Sequence, residues 1–344
     1  MNKKAHKALI LLSNSEGRAT FGRETLNRCY PLLRPIAAVY RRTLLRKVRI
    51  ISVIGSLENT RDEKAKMLEQ LSPQSTAILN ADDPHVMQMA TRTRAKVLTF
   101  GSCENADVRA ANIEISPPNG MKFDVEISNE IYSLRISLLG RHMVYPVLAA
   151  LAVALAEDLN VTESCERLQN VESLEARMHS IALPNGAVLI RDDYKATRES
   201  VWGALETLAE YPARRKCLVL GGVSEICNKE SNSFYRDLGS RISQSADYGY
   251  LRLDKNSFRR CLGAAAAGGM DRKRLTRIKL DPLSIIPLLP DNLGKGDVIL
   301  IKGKPDYKIS RLSLALMGKH VVCRKMSCPV STSYCDNCSA LSGR

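Results

Sequence analysis

Three short stretches carry side chains that could do chemistry, and each follows an apolar run. "RDDYKAT" (Arg191–Thr197) empties the run "AVLI" into two carboxylates, a lysine and a threonine. At a strand end an ammonium can hold phosphate, and a carboxylate can hold a metal or the lysine itself. An ordinary polar strand-to-helix loop has the same composition. "LNADDP" (Leu79–Pro84) is a second such stretch, equally explained as an Asx-rich turn, and "IKGK" (Ile301–Lys304) is a third, equally explained as a turn with solvated lysines. The carboxyl-terminal "CRKMSCPVSTSYCDNC" spaces Cys323, Cys328, Cys335 and Cys338 as C-x4-C-x6-C-x2-C. Four thiolates about 2.3 Å from one zinc ion would close a tetrahedral shell of structural type, and Arg324 and Lys325 would offset its negative charge. Reduced thiols on a loosely held tail are the alternative.

The elements that must position these residues repeat in a regular rhythm. "IISVI" reads as a strand, Arg61–Leu71 as a helix ended by Pro73, "TAILN" as a strand, "HVMQMATRT" as a helix and "AKVLTFG" as a strand. Strand, helix, strand implies a parallel sheet. "FDVEISNEIYSLRISL" alternates with period two about Asn129, as a hairpin does. The apolar "VLAALAVALA" that follows is a buried helix, half the roughly 20 residues a membrane span needs. The rhythm then restarts: strands in "AVLIRDDY", "KCLVLGGVSE", "YGYLRL" and "DVILIKGK" alternate with helices in "SVWGALETLAEY", "FYRDLGSRISQSA" and "ISRLSLALMG". This is a second α/β unit of doubly wound type, whose ligands gather at the carboxyl ends of the strands. "GGVSE" lacks the G-x-G-x-x-G spacing of a nicotinamide-binding unit.

A chain of 344 residues is long enough for two domains. Its apolar (44%) and charged (25%) fractions are those of a folded soluble protein, and with no secretory leader pattern it is expected in the cytoplasm. The net charge of +15 is concentrated in residues 1–50, where twelve Lys or Arg against two Glu contribute +10. Such an arm suits an anionic surface or a solvated helix. With aromatics at 5% and no recognition motif, nucleic acid is not an expected partner.

Taken together and in order, "STAILNADDPHV", "LLGRHMVYPVLAALAVAL", "LEARMHSIALPNGAVLIRDDYKAT", "GALETLAEYPARRKCLVLGGVSE" and "GDVILIKGK" resemble the Mur ligases, most nearly the type that adds D-alanyl-D-alanine to a UDP-muramoyl-tripeptide. The resemblance implies an α/β protein: a remnant of the central nucleotide-binding domain (49–170) after a basic helical arm (1–48), then a Rossmann-like carboxyl-terminal domain (171–320) and a Cys-rich tail (321–344). It implies ATP- and Mg²⁺-dependent amide formation in peptidoglycan precursor synthesis. A substrate carboxylate attacks the γ-phosphate to give an acyl phosphate, which an incoming amine displaces. The partners would be a UDP-muramoyl-peptide and an amino acid or dipeptide, and the expected state is a monomer. Carried over, Arg177, Asp193 and Lys195 match residues beside the transferring phosphate, and Lys64 matches a lysine carbamylated to ligate magnesium. Asn80, His142 and Thr197 fall on the nucleotide side, and Glu225, Lys302 and Gly303 would face the amine.

The chain also departs from the family pattern. "GRHMVYPV" has Met143 and Pro146 where two asparagines approach adenine, and "DDYKAT" differs from the "DDSYNANP" of D-alanyl-D-alanine enzymes, which leaves the amine open. Between "VIGS" and "SLEN" the phosphate-binding loop is missing. Glu58 and Asn59 stand where glycine and lysine would be, and a carboxylate repels phosphate. The amino-terminal substrate-binding domain would be absent or reduced to the arm. The chain is therefore expected to bind ATP weakly and to ligate well below a family-like rate. Micromolar affinity by titration calorimetry, with normal turnover, would contradict this.

Overall fold

The apolar runs become the inner strands of two separate sheets. The computed structural model describes residues 9–11, 50–53, 58–116, 118, 120–224, 226, 231–278, 281–325, 328 and 335–342. They divide into two compact units, one within residues 1–116 and 120–172 and the other within 117–119 and 173–344.

In the first unit, β1 (Leu9–Leu11), β2 (Ile50–Val53), β3 (Thr76–Asn80), β4 (Lys96–Gly101), β5 (Val108–Ile115), β6 (Met121–Ile127) and β7 (Glu130–Ile136) lie side by side in chain order. Pairing is parallel from β1 to β5 and antiparallel from β5 to β7. Every residue of β3 is buried, as a parallel strand covered on both faces requires. In β6 the buried Met121, Phe123, Val125 and Ile127 alternate with more exposed polar residues, the signature of a one-sided sheet. Ser128 and Asn129 turn the hairpin with φ of 52° and 69°, the left-handed pair that a two-residue loop needs. The helix Val144–Ala156 packs with Ile78, Phe100 and Val125 in one core, and the helix Glu58–Leu68 packs Ala65 and Leu68 against Ala77 and Leu79 in another. Because side chains alternate along β3, these are opposite faces of the sheet.

The second unit holds β8 (His179–Ala182), β9 (Val188–Asp192), β10 (Arg215–Gly221), β11 (Tyr248–Leu251), β12 (Leu275–Arg277) and β13 (Asp297–Gly303) in the order β12-β11-β10-β13-β9-β8. All pairs are parallel except β8 with β9. The last strand, β13, fills the middle, with all seven residues buried. Its register sets Gly221 opposite Gly303 and Asp192 opposite Lys302. The loops after β9, β10 and β13 therefore leave the sheet together, at the edge where doubly wound folds bind ligands.

Where the structure differs from the sequence reading, short edges are the reason. The helix expected at Arg61–Leu71 runs Glu58–Leu68, and "HVMQMATRT" divides into one α-turn, Pro84–Met87, and a 3-10 segment, Gln88–Arg92. Strands β8 and β12 span four and three residues, too few to show a period. Among the described residues no helix is long and apolar enough to cross a membrane.

At the start of β13, Asp297 accepts from Arg214 (2.9 Å), Arg215 (2.7 Å) and the Gly294 amide (2.9 Å). Burial opposes ionisation, yet the two guanidinium forks and the amide hold this carboxyl well below the usual range. Its folded value thus lies under the ordinary aspartate value of about 3.9, so its stabilisation is complete above about pH 5 and drains away as pH falls further. D297N is expected to cost about 1.5–3 kcal/mol at pH 7. Urea melts should show the deficit shrinking below pH 4, and a pH-independent deficit would refute the ion-pair account.

Candidate functional site

The loop after β9 is pinned residue by residue. Lys302, 1% exposed, lies opposite Asp192 and donates to its Oδ2 at 2.5 Å and to the carbonyl of Lys195 at 2.8 Å. Burial lowers the affinity of this ammonium for its proton, and Asp192 opposes the loss. On the other face of the strand Arg191, also 1% exposed, reaches Asp193 at 3.3 Å, and Ser313 of the helix Ser310–Leu316 donates to Asp193 at 2.7 Å. Arg191 also forks onto both oxygens of Asp336, at 2.7 and 3.2 Å. Burial raises the Asp193 carboxyl, with Arg191 and Ser313 opposing.

The next residues are held by main chain. The Tyr194 amide donates to the Ala176 carbonyl (3.3 Å), and the Arg177 guanidinium lies 4.4 Å over the Tyr194 ring. Arg177 is flanked by Ala176 and Met178 at φ 59° and 48°, left-handed positions that side-chain-bearing residues adopt only when the surroundings force them. Both neighbours are buried, so the kink drives their side chains inward and leaves Arg177 half-exposed. The Ala196 carbonyl accepts from the Ser224 amide (2.6 Å), and Thr197 caps the helix Arg198–Glu210 through the Ser200 amide (3.4 Å). The half-buried Lys195 ammonium has no acidic partner among the described residues. A fixed loop thus presents one cation with its charge unspent, and a half-exposed arginine beside the same loop. Such a pair can bind a phosphoryl or carboxylate oxygen without reorganising.

In the first unit Lys64 is half-buried. Burial lowers its proton affinity and Asp83 opposes the shift. Asn80 is buried at the end of β3, and its Oδ1 accepts from the Asp82 amide at 3.0 Å. Asp82 is a hub: burial opposes ionisation, but the Ser102 (2.7 Å) and Cys103 (2.9 Å) amides and the Tyr145 hydroxyl (3.0 Å) hold its carboxyl low. The same contact, after burial itself, pushes the Tyr145 hydroxyl up to about 12. His142 is half-buried in the 3-10 turn Arg141–Met143 that leads into the helix Val144–Ala156.

The profile "Mur ligase middle domain" matches residues 51–154, and "Mur ligase, glutamate ligase domain" matches residues 176–305. The chain belongs to the Mur ligase family. It is 32% identical over 151 residues to a UDP-N-acetylmuramoyl-L-alanyl-D-glutamate–2,6-diaminopimelate ligase of Listeria innocua, covering 44% of this chain and 30% of that one. It is 26% identical over 257 residues to the ligase of the same name from Chlamydia caviae, covering 73% and 51%. The chain thus matches 30% to 51% of the length of these curated relatives. Among solved structures, the MurF ligase of Thermotoga maritima in complex with ADP superposes with TM-score 0.69 at 18% identity, covering 91% of this chain and 79% of that one, a likeness of fold.

For a Mur ligase the first unit is unusually equipped. The helix Glu58–Leu68 begins at Glu58, where the sequence lacks the phosphate-loop lysine. No group of three or more His, Cys, Asp or Glu side chains converges among the described residues. That donor set does not fit a phosphate cradle with its magnesium ion, and Asp83 caps the helix Pro84–Met87 through the His85 and Val86 amides. In the second unit, Asp193 is enclosed instead of lying open beside a phosphate, because Arg191 and Ser313 take up its oxygens. Lys302 is enclosed likewise. Gly303 is a packing necessity, since a Cβ there would meet Ile309 at 2.8 Å and Gly221 at 3.0 Å. Glu225 lies outside the described residues.

The zinc expected in the tail is corrected by the same absence of a metal cluster. Cys323, Cys328, Cys335 and Cys338 are free thiols. Cys335 is buried against Leu314 and Leu341, with Cys338 at the margin, because apolar packing and not a shared ion draws the segment in. The Arg191–Asp336 fork, the Arg311–Lys325 carbonyl bond (2.7 Å) and the Val322–Leu341 backbone bond (2.9 Å) complete the docking. Sequence reasoning singled out the stretch Arg191–Thr197 but gave Arg191 and Asp192 no role of their own, and it missed Ser313 and Asp336. The available signal was a lone arginine ending an apolar strand, which has to find a carboxylate. D336A is expected to cost about 3 kcal/mol by leaving Arg191 half-paired in the interior. It should lower the melting temperature by roughly 6–12 °C, while a chelator leaves it unchanged; the reverse pattern would restore the metal.

Proposed function

We propose that this chain carries the acyl-transfer half of a Mur-type ligase of peptidoglycan precursor synthesis, working in the cytoplasm on a UDP-muramoyl-peptide and an amino acid or dipeptide, with ATP as co-substrate. The observation that carries the reading is the unspent Lys195 ammonium on a loop whose other polar groups are tied down. In the proposed chemistry a peptide carboxylate oxygen attacks the γ-phosphorus and ADP leaves. The amine nitrogen then attacks the acyl carbon, phosphate leaves, and the nitrogen gives up its proton. Negative charge builds on the phosphoryl oxygens in both steps, where a fixed ammonium and guanidinium stabilise it most. Lys195 and Arg177 take those parts in this reading.

Support for the amine is divided. The curated relatives are named for 2,6-diaminopimelate, whereas the sequence motifs lean toward D-alanyl-D-alanine, so both amines belong in the assay. The missing phosphate loop favours a second reading, a catalytically inactive module that binds the muramoyl-peptide without nucleotide. At millimolar ATP with UDP-muramoyl-tripeptide or UDP-muramoyl-dipeptide and the matching amine, slow ADP release should be measurable. K195M should cut it by about a hundredfold or more with the fold intact. Binding of the UDP-muramoyl-peptide with no Lys195-dependent ADP release would establish the module.

A further inference from the structure

Lys302 is a lysine with nowhere to reach. It sits on the most buried strand of the second unit, between β10 and β9, with 1% of its surface exposed. A buried ammonium is costly unless its hydrogens are met. Two are met by groups of unequal kind, the Asp192 carboxylate at 2.5 Å and the main-chain carbonyl of Lys195 at 2.8 Å. The first contact neutralises charge. The second has no electrostatic need behind it, since an apolar residue at 302 with an apolar partner at 192 would close the core as well. What it does is fasten the backbone of the residue whose side chain carries the site's free cation.

The flanking contacts do not do this work. Tyr194 is held from one side by Ala176, and Ala196 from the other by Ser224. Between those points the Lys195 carbonyl is the hinge that decides where the side chain leaves the loop. From the carbonyl to the end of the side chain there are four freely rotating carbon bonds, so a fixed root limits where the ammonium can go.

We infer that Lys302 is a positioning residue for Lys195: its ammonium, charge-balanced by Asp192, grips the Lys195 carbonyl and fixes the root of the cation that meets the phosphoryl group. The phosphoryl part of this statement rests on the proposed function; the grip itself does not. Lys302 thereby leaves the amine-facing set and becomes the internal brace of the loop.

Hydrogen exchange on the full chain separates the two. The probes are the Tyr194 and Ser224 amides, which close the loop on either side of Lys195. In D192L/K302M both partners are apolar, so no buried charge is left unpaired and the Lys195 carbonyl alone loses its donor. Its melting temperature should remain close to wild type while exchange in peptides covering 194–197 and 224 rises at least tenfold and that of the helix Lys255–Ala267 does not change. Unchanged loop exchange in the folded variant overturns the inference. If the variant does not fold, the wild type decides: the loop amides should open only with β13 itself, and exchange at least tenfold faster than β13 overturns the inference too. A parallel measurement, protection of Lys195 from methyl acetimidate by inorganic pyrophosphate, tests the function. Protection lost in D192L/K302M supports the brace as functional. No protection in wild type, with loop exchange behaving as expected, sinks the phosphoryl reading and leaves the brace standing.

Discussion

Burial of charge at the carboxyl end of β9 is the constraint to which the second unit is built. Arg191 and Lys302 are taken out of water together with Asp192 and Asp193, and Asp336 joins them with 7% of its side chain exposed. Each such charge alone costs several kcal/mol, and pairing repays this only when geometry is held closely. Hence β13 must occupy the middle of the sheet to bring Lys302 against Asp192, the helix Ser310–Leu316 must turn Ser313 toward Asp193, and the tail must come back to Arg191. Alternation along β9 divides the work: Asp192 looks to one face and Asp193 to the other, so two networks brace one loop from both sides of the sheet.

The first unit solves a comparable problem with main chain. Asp82 is met by two amides and a tyrosine hydroxyl, with no cation in the set. Amide donors cannot leave, so this turn is rigid whatever binds nearby. Gly101 is the counterpart, because a Cβ there would come within 2.7 Å of the Asp82 carboxylate. This rigidity belongs to the turn alone and adds no cation for phosphate.

Much of the architecture was legible because period and turn chemistry state it locally. The β-branched runs of β3, β10 and β13, the Ser128–Asn129 hairpin and the apolar helix Val144–Ala156 needed no tertiary information. The loop Arg191–Thr197 was found for the same reason, as polar residues abruptly ending an apolar strand. What spacing could not say is which polar residues face inward. Asp193 and Lys195 are two apart in sequence, yet one is enclosed and the other open, a difference set by Ser313 and by the path of the tail, 120 and 145 residues away for the bonded pairs. The cysteines misled in the converse way. Their spacing is local, and the environment of Cys335 and Cys338 is an apolar cluster with Leu314 that spacing does not reveal.

The fork between Arg191 and Asp336 also sets an order in time. The partners are 145 residues apart, so at a synthesis rate of about 5–20 residues/s the carboxylate emerges roughly 7–29 s after the arginine it neutralises. Through that interval β9 carries a guanidinium destined for the interior with only Asp193 to meet it, and for most of it β13, which brings Lys302 to Asp192, is also still unmade. The strands on either side of the centre are thus made before the centre strand β13 that joins them, and the partner of Arg191 comes last of all.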